Sequence, residues 1–489
     1  MQIADSVKRL GSGLKYNALG LVFNKGFVFL SLVLASRILG PDGYGQASIA
    51  ANTTTLFASV AALNLGLLAT RYIALYRGEE GSRVDRVLGL CALVGVCSGG
   101  IAAVVLFAGA APMATLVGGA ADMAFYLKIC AINVFFATYN GVQRGIVLGF
   151  ERFRSLMAVD VVTGFATLLL GVGGAFGFGV PGYLAGLMVA AVLTNAAYWW
   201  TVRGILRREE RRYDVRHAFE EKDTLLRFAL PATLSGLSAA PVNWICGLFI
   251  INGIGGYAAY GIYSAAFQWR SIVTVALNTF GNTIFPILVS AGGADKQLER
   301  INLHAEWIAS VLFACVVLPF SGLIAGLYGT EYPPGTFSLC FTAVVMSCIV
   351  SAVLDGLNRK IMQHAKMWFA FSANAIWGAC ALILSYLLRE WGGPGLAYAM
   401  LIAYAVMLSY VMVCAVRLKV VNVDMVLNRR TIALWIALAV WAILLVAVDG
   451  IGLRLALSCA VGAIAVYAFE LQRLVPEVMR LVKGRKISR

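Results

Sequence analysis

Long apolar stretches recur along almost the whole chain, and they constrain its fold more than any other feature of the sequence. We predict fourteen membrane-spanning segments, at 16-39, 44-69, 87-110, 123-143, 156-176, 182-202, 228-251, 257-290, 305-328, 335-354, 367-388, 395-416, 431-448 and 452-471. Because a helix needs about 20 apolar residues to cross a bilayer, these segments use most of the 489 residues. The sequence therefore predicts an all-α polytopic membrane protein with fourteen transmembrane helices.

The scarcity of charge excludes several other classes of protein. Only 13% of the residues are charged and the mean hydropathy is +0.82, whereas about a quarter of the residues of a soluble protein are charged. A globular enzyme with a single anchor, a disordered chain and a nucleic-acid binder are all excluded by this composition. The formal net charge of +15 therefore needs an explanation other than nucleic acid.

The positions of the basic residues supply that explanation. In the fourteen-span arrangement, 33 of the 39 lysines and arginines fall in the two tails and in the connections on the same side as the tails. Cytoplasmic connections are enriched in lysine and arginine. We therefore predict a multi-pass protein of the cytoplasmic (inner) membrane with both termini cytoplasmic, and we attribute the basic excess to topology and to attraction for anionic membrane lipids.

A weak internal repeat suggests how the spans are grouped. The segment 39-45 aligns with 252-258 at an offset of 213 residues and keeps Gly40/Gly253, Gly43/Gly256 and Tyr44/Tyr257. Parallel repeats of this kind build transporters whose path lies between two halves. We predict two pseudo-symmetric six-helix bundles around a central cavity, with two extra C-terminal helices. The predicted domains are 1-206, a basic cytoplasmic linker at 207-227, a second bundle at 228-418, and helices 13 and 14 with a basic tail at 419-489.

No pattern in the sequence points to catalysis or to a bound cofactor. The phosphate-loop, zinc-protease and serine-hydrolase motifs are absent, and the ten cysteines lie in apolar spans without a CxxC pair. The three histidines form no metal-ligand cluster. We therefore expect no enzyme activity, no cofactor and no metal. Short exterior connections also argue against a glycan polymerase, and charges within the membrane argue against a scaffold.

The residues of the first two spans resemble a known family. The first span ends in Leu39-Gly40-Pro41-Asp42-Gly43-Tyr44-Gly45, and Asn64-Leu65-Gly66-Leu67 with Arg71-Tyr72 follow. This pattern is similar to the polysaccharide transporter (Wzx-type flippase) branch of the MOP exporter superfamily. The resemblance implies alternating-access transfer of an undecaprenyl-diphosphate-linked oligosaccharide to the outer leaflet for assembly of O-antigen, capsule or exopolysaccharide.

The resemblance also implies partners and leaves alternatives. The expected partners are the lipid-linked glycan, membrane lipids, a coupling ion (H⁺ or Na⁺) and polysaccharide polymerases. A lipid II flippase of the same superfamily is the alternative function. A MATE-like drug or cation antiporter is more remote, because such exporters usually have twelve spans.

Cations within the predicted spans are the candidate substrate ligands. A charge at mid-bilayer costs about 2.5 to 3.5 kcal/mol, so it normally faces a wet cavity or a partner. Lys25 and Arg270 lie deep in spans one and eight, where they would hold a lipid diphosphate or form structural ion pairs. Lys128 would bind the substrate or snorkel to the exterior interface. The resemblance implies that Arg71 lies at the cytoplasmic mouth of the cleft, although an ordinary interfacial arginine also explains it.

Polar and acidic side chains complete the candidate site. Asn24 lies on a stripe with Asn17 and Ser31, spaced by seven residues, which gives the first helix one face that avoids lipid. The cavity-lining polar candidates are Asn24, Asn52, Asn243 and Gln268. Such groups suit sugar hydroxyls, and they equally suit packing between helices. Asp160 and Asp355 are candidates for ion coupling, or they are structural acids.

Overall fold

The computed structural model of the chain describes residues 2–77, 82–229, 233, 239–290, 296–363, 367–417, 428–448 and 450–469. These residues are almost entirely helical, and the described part of the chain contains no β-strand. The helices are α1 Gln2–Ala61, α2 Leu65–Tyr76, α3 Arg83–Ala108, α4 Ala110–Leu116, α5 Met123–Gly149, α6 Phe153–Arg208, α7 Ala239–Ile251, α8 Gly256–Ser290, α9 Lys296–Val317, α10 Ser321–Tyr328, α11 Pro334–Gln363, α12 Met367–Leu387, α13 Gly392–Arg417, α14 Arg429–Ala447 and α15 Ile451–Phe469. The predicted all-α class is therefore confirmed.

Several of these helices have the length and composition of membrane spans. Within the described residues, eight helices are long and apolar enough to cross a membrane, and three shorter apolar helices accompany them. Each of the fourteen predicted spans overlaps a helix of the structure. The number fourteen stays a prediction, because two of the eight helices each contain two predicted spans and other predicted spans coincide with helices outside the eight.

The two longest helices each contain two predicted spans separated by a glycine. Helix α1 is broken at Gly40, whose φ of 67° and ψ of 176° are not helical, and Pro41 follows. Helix α6 is broken in the same way at Gly179, with φ 64° and ψ −141°, and Pro181 lies two residues on. A positive φ is strained for residues with a side chain, and proline inside a helix removes a hydrogen bond. These residues explain why each helix breaks between two predicted spans.

Helix α6 folds back on itself at its glycine. A Cβ added to Gly182 would lie 2.1 Å from the carbonyl oxygen of Gly174, and one added to Gly186 would lie 2.1 Å from that of Leu170. In a straight helix Leu170 and Gly186 would be about 24 Å apart. The two arms of α6 therefore form an antiparallel hairpin, and glycine lets their backbones touch.

This contact makes a prediction about stability. Gly186→Ala is expected to lower the thermal unfolding midpoint of the purified protein and its folded yield, because the new methyl group meets backbone that cannot rotate away. Overpacking of this kind costs about 1–3 kcal/mol or more. Gly173→Ala in the same hairpin is the matched control, since its Cβ would meet no atom within 4 Å. Equal midpoints for the two variants would contradict the close approach.

The break in α6 has a counterpart later in the chain. Gly179-Val180-Pro181-Gly182 aligns with Gly392-Gly393-Pro394-Gly395 at the same offset of 213 residues as the first repeat. The two leading glycines have nearly the same backbone angles, with φ 64° and ψ −141° at Gly179 and φ 62° and ψ −132° at Gly392. This second match supports the predicted internal repeat.

The chain forms two compact units, Met1–Gly261 and Ile262–Arg489. In the first unit, α2, α3, α5 and α6 enclose an apolar core that includes Leu65, Ile73 and Phe150. In the second unit, the largest fully buried side chains include Trp307 and Phe341. The boundary between the units lies after the predicted linker 207-227. The predicted domain ranges rest on the repeat rather than on compactness, and they stay a prediction.

Candidate functional site

The polar stripe of the first helix packs against α6. The side-chain amide of Asn24 donates to the carbonyl oxygen of Asp160 at 2.8 Å, and Ser31 donates to that of Thr167 at 3.2 Å. A Cβ on Gly164 would lie 2.9 Å from the Cα of Asn24. The spacing of seven residues predicted one face that avoids lipid, and the structure packs Asn24 and Ser31 of that face against the first arm of α6.

A polar cavity of about 390 Å³ lies between α1, α5 and α6. Its walls combine amides, hydroxyls and one ion pair with small and apolar residues: Asn24, Asn133, Asn140, Gly141, Arg144, Asp160, Thr163, Thr167, Leu187, Ala190, Ala191, Thr194 and Tyr198. Neighbouring polar groups are bonded to each other, since Asn195 donates to the Asn140 side chain and Thr194 to Thr163. The cavity offers hydrogen bonds to hydroxyl groups, and its walls have no net charge.

The ion pair in this cavity joins Arg144 to Asp160. Arg144 donates to Oδ1 of Asp160 and also to the Tyr198 hydroxyl at 3.3 Å. Asp160 is 4% exposed, and its Oδ2 receives no hydrogen bond from the described residues. A buried carboxylate needs a counter-charge, and Arg144 provides it. A cation that binds Asp160 would therefore have to compete with a guanidinium.

Sequence reasoning placed Arg144 outside the membrane, among the residues of a cytoplasmic connection. Helix α5 extends to Gly149, beyond the predicted end of the span at residue 143, so that Arg144 is part of the helix. The signal was present, because Asp160 lies in the first turns of span five, next to the connection that follows span four.

Lys25 lies on α1 next to Asn24 but on a different face. Its side chain is exposed, and it forms no hydrogen bond or ion pair with any residue that the structure describes. Val22 and Phe23 beside it are also exposed, by 68% and 50%. Of the two interpretations left open by the sequence, a private structural ion pair finds no support among the described residues. A role of Lys25 in binding the substrate stays a prediction.

Arg270 lies in the second compact unit and is 7% exposed. Its guanidinium donates to the Ser347 hydroxyl and lies 4.4 Å from the ring centroid of Tyr404. The charge of Asp355 on α11 is near enough to interact with it, but the two form no direct ion pair. A cation–π contact and a hydroxyl therefore orient a buried guanidinium that contacts no carboxylate of the described residues.

The other predicted residues are dispersed. Lys128 is exposed, with Nζ 5.6 Å from the Phe107 ring centroid, and Arg71 is exposed beside the ring of Tyr72. Asn52 donates to the Tyr260 hydroxyl, Asn243 is exposed, and Gln268 is buried. Of the ten candidates, the structure brings Asn24 and Asp160 together in one unit and sets Asp355 near Arg270 in the other. Whether Lys25 and Arg270 meet stays a prediction.

A second buried ion pair was also missed. Glu306 is fully buried and forms an ion pair with Arg359, with 2.9 Å between Oε1 and the guanidinium nitrogen. Nε of Arg359 also donates to Asn302 at 2.8 Å. Both ion pairs have the same cause. The helices that hold Arg144 and Arg359 continue past the predicted spans, to Gly149 and to Gln363, and so keep these charged residues in contact with a neighbouring helix.

Comparison with known proteins defines the family. The family model described as polysaccharide biosynthesis protein matches residues 10–291, which is more than half of the chain. The EPS I polysaccharide export inner membrane protein EpsE of Ralstonia nicotianae is 26% identical over 417 residues, which cover 82% of this chain and 92% of that protein. The succinoglycan biosynthesis transport protein ExoT of Rhizobium meliloti is 23% identical, over 59% of this chain and 56% of that protein.

Two solved structures have a similar fold. A multidrug resistance MATE family transporter of the MOP superfamily, in an inward-facing conformation, matches with a TM-score of 0.69 at 16% identity, over 83% of this chain and 98% of its own. The lipid II flippase MurJ, in an inward closed conformation, matches with the same score at 11% identity, over 94% and 99%. These likenesses show the class of fold, which is that of the MOP superfamily.

Within that class, the chain belongs to the polysaccharide biosynthesis protein family. The predicted resemblance to the polysaccharide transporter branch of the superfamily is confirmed.

Proposed function

We propose that the protein is a flippase that moves an undecaprenyl-diphosphate-linked oligosaccharide from the cytoplasmic to the outer leaflet of the inner membrane, for assembly of a surface polysaccharide. Family membership and relatives named for polysaccharide export support the class of substrate. The observation that carries the proposal is Lys25, a cation near the middle of a spanning helix that is exposed and has no counter-ion among the described residues. Such a residue suits a ligand that brings its own negative charge.

Alternating access of two six-helix bundles is the mechanism that we propose. The diphosphate head would bind between the bundles against Lys25 and Arg270, with Lys128 and Arg71 nearer the two ends of the path, while the lipid tail stays in the bilayer. Asn52, Asn243 and Gln268 would contact sugar hydroxyls. Fourteen spans with both termini in the cytoplasm follow from the positions of the basic residues.

The membrane potential favours this direction of transport. Moving charge across the membrane changes the free energy by about 2.3 kcal/mol per elementary charge per 100 mV. The diphosphate carries about two negative charges, so outward movement with a negative interior gains roughly 4 to 5 kcal/mol at 100 mV. Counter-transport of H⁺ or Na⁺ at Asp160 or Asp355 would add to this driving force. We propose no catalytic step and no cofactor.

Deletion of the gene tests the proposal. The cytoplasmic leaflet of the deletion strain should accumulate an undecaprenyl-diphosphate-linked oligosaccharide, measured by mass spectrometry of extracted lipids, while surface polysaccharide is lost. Lipid II should stay at its normal level. Accumulation of lipid II would instead identify a flippase for the peptidoglycan precursor, and normal levels of both lipids with a new drug sensitivity would identify an antiporter.

A further inference from the structure

A second pocket, of about 580 Å³, lies where the two ends of α6 meet. We call it the basic pocket. It is separate from the polar cavity and is lined by Tyr16, Glu151, Arg152, Phe153, Arg154, Ser155, Trp200, Thr201, Gly204, Ile205 and Arg208. The hairpin in α6 explains this composition, because the first turn of the helix and its last two turns lie side by side at the cytoplasmic end predicted from the basic residues.

Two of the three arginines in the basic pocket have no counter-ion among the described residues. Arg152 pairs with Glu209 at 2.6 Å, whereas Arg154 and Arg208 are exposed and form no ion pair or hydrogen bond with the residues that the structure describes. The one acid of the lining, Glu151, is 3.5 Å from Arg77. The pocket therefore has an excess of positive charge, and two guanidinium groups are available to an incoming anion.

The backbone adds further donors. Arg152 is the N-cap residue of α6, and no side chain caps the helix there. The free N–H groups of the first turn belong to Phe153 and the residues that follow, which line the pocket. The N-terminus of a helix attracts phosphate through these donors and the helix dipole, and arginine binds phosphate oxygens through two parallel hydrogen bonds. Phosphate is thus the chemistry that fits both the side chains and the backbone.

The surroundings of the pocket indicate a lipid rather than a soluble phosphate. Trp200 in the lining is 77% exposed, and tryptophan prefers the depth of lipid headgroups. Leu193 and Val189 lie seven and eleven residues before it, on the same face of the helix, and are 46% and 41% exposed. This apolar stripe leads from the pocket into the bilayer, where it can accept acyl or prenyl chains.

We infer that the basic pocket binds the phosphate headgroup of a lipid in the cytoplasmic leaflet, outside the proposed transport path. Two kinds of lipid supply this chemistry: an anionic glycerophospholipid and a polyprenyl diphosphate. Binding of the first is independent of the proposed flippase function, because it needs no transport. Binding of a polyprenyl diphosphate rests on the proposed function, and it would make the pocket an initial binding site for the substrate, outside the transport path.

Lipid binding by the purified full-length protein tests this inference. Native mass spectrometry in detergent would count bound phosphatidylglycerol, undecaprenyl diphosphate and zwitterionic phosphatidylethanolamine, each added alone and then in competition. We expect one bound anionic lipid that resists displacement by phosphatidylethanolamine. Its affinity should fall about tenfold or more in Arg154→Gln/Arg208→Gln, since each lost charge-assisted hydrogen bond removes a large part of the binding free energy.

A matched control distinguishes lipid binding in the basic pocket from a general attraction of anionic lipids to basic residues. Arg203 and Arg207 lie on the same turns of α6 but do not line the pocket, so Arg203→Gln/Arg207→Gln removes the same charge at the same depth. We expect this variant to bind as the wild type does. If both double variants lose binding equally, or if neither does, the inference is wrong. Competition between phosphatidylglycerol and undecaprenyl diphosphate identifies the source of the phosphate. The preferred lipid should displace the other from the wild type but not from Arg154→Gln/Arg208→Gln.

A third variant tests lipid binding in the basic pocket without changing any arginine, in case the double substitution impairs folding. A Cβ on Gly204 would meet no atom within 4 Å, and Gly204 lines the pocket, so a large side chain introduced there is expected to occupy it. Gly204→Trp should reduce anionic lipid binding about tenfold with all the arginines intact, whereas Gly204→Ala should not. Unchanged binding by Gly204→Trp would overturn the inference.

Discussion

Lys25→Gln is expected to lower export of the surface polysaccharide about 10- to 100-fold while membrane insertion and thermal stability stay at the level of the wild type. The side chain is exposed and has no partner among the described residues, so its removal breaks no internal contact. The expected loss is that of one charge-assisted interaction with the diphosphate, worth about 1.5–3 kcal/mol. Export would be measured as surface glycan per cell, together with the protein level in the membrane.

Lys25→Arg is the matched variant for this prediction. It keeps the positive charge on the same face of α1, and it should retain most of the export. Normal export by Lys25→Gln would contradict a substrate role for this lysine. Loss of export by both variants, with normal protein levels, would indicate that the position needs the shape of lysine rather than its charge.

A substitution at Arg270 tests the same role in the second unit, where the surroundings fit a guanidinium. It donates to Ser347 and lies over the ring of Tyr404, and a lysine cannot reproduce the planar contact. Arg270→Gln should therefore reduce export as much as Lys25→Gln does. Because Arg270 is buried, part of that loss can come from instability, so the unfolding midpoint must be measured beside export.

The sequence alone predicts the features that are set by residues close together in the chain. The spans, the breaks at glycine and proline, and the packing face of the first helix follow from hydropathy, backbone conformation and a spacing of seven residues. Asn24 and Ser31 contact α6 as that spacing required. These features are local, and a single sequence contains the information that specifies them.

The two buried ion pairs could not be predicted from hydropathy, for a physical reason. A helix continues past its apolar run as long as its hydrogen bonds are satisfied, and hydropathy alone gives no sign of where it stops. Arg144 and Arg359 were therefore counted with the connections, although each pairs with a buried acid on another helix. The basic pocket was missed for a related reason, since it forms only when the two ends of one hairpin come together.

The Arg144–Asp160 pair gives the sharpest test of how the first unit is stabilised. Asp160→Leu leaves a guanidinium without its carboxylate, and Arg144→Leu leaves a buried carboxylate without its cation. Removal of one partner of a buried pair costs about 3–5 kcal/mol. We expect the lower end of that range, about 3 kcal/mol, because the Arg144 side chain is 31% exposed. Each single variant should unfold at a clearly lower temperature than the wild type.

The double variant Arg144→Leu/Asp160→Leu should recover most of that stability, because replacing both charges by apolar side chains leaves no buried charge unpaired. A double-mutant cycle on the unfolding free energies measures the coupling, and Arg207→Leu, an exposed arginine on α6, controls for loss of positive charge. A double variant as unstable as the sum of the single variants would contradict the pair. If the double variant folds, its export tests whether Asp160 is needed for transport. Normal export makes the acid structural, whereas a folded but inactive transporter shows that the Arg144–Asp160 pair is needed for transport.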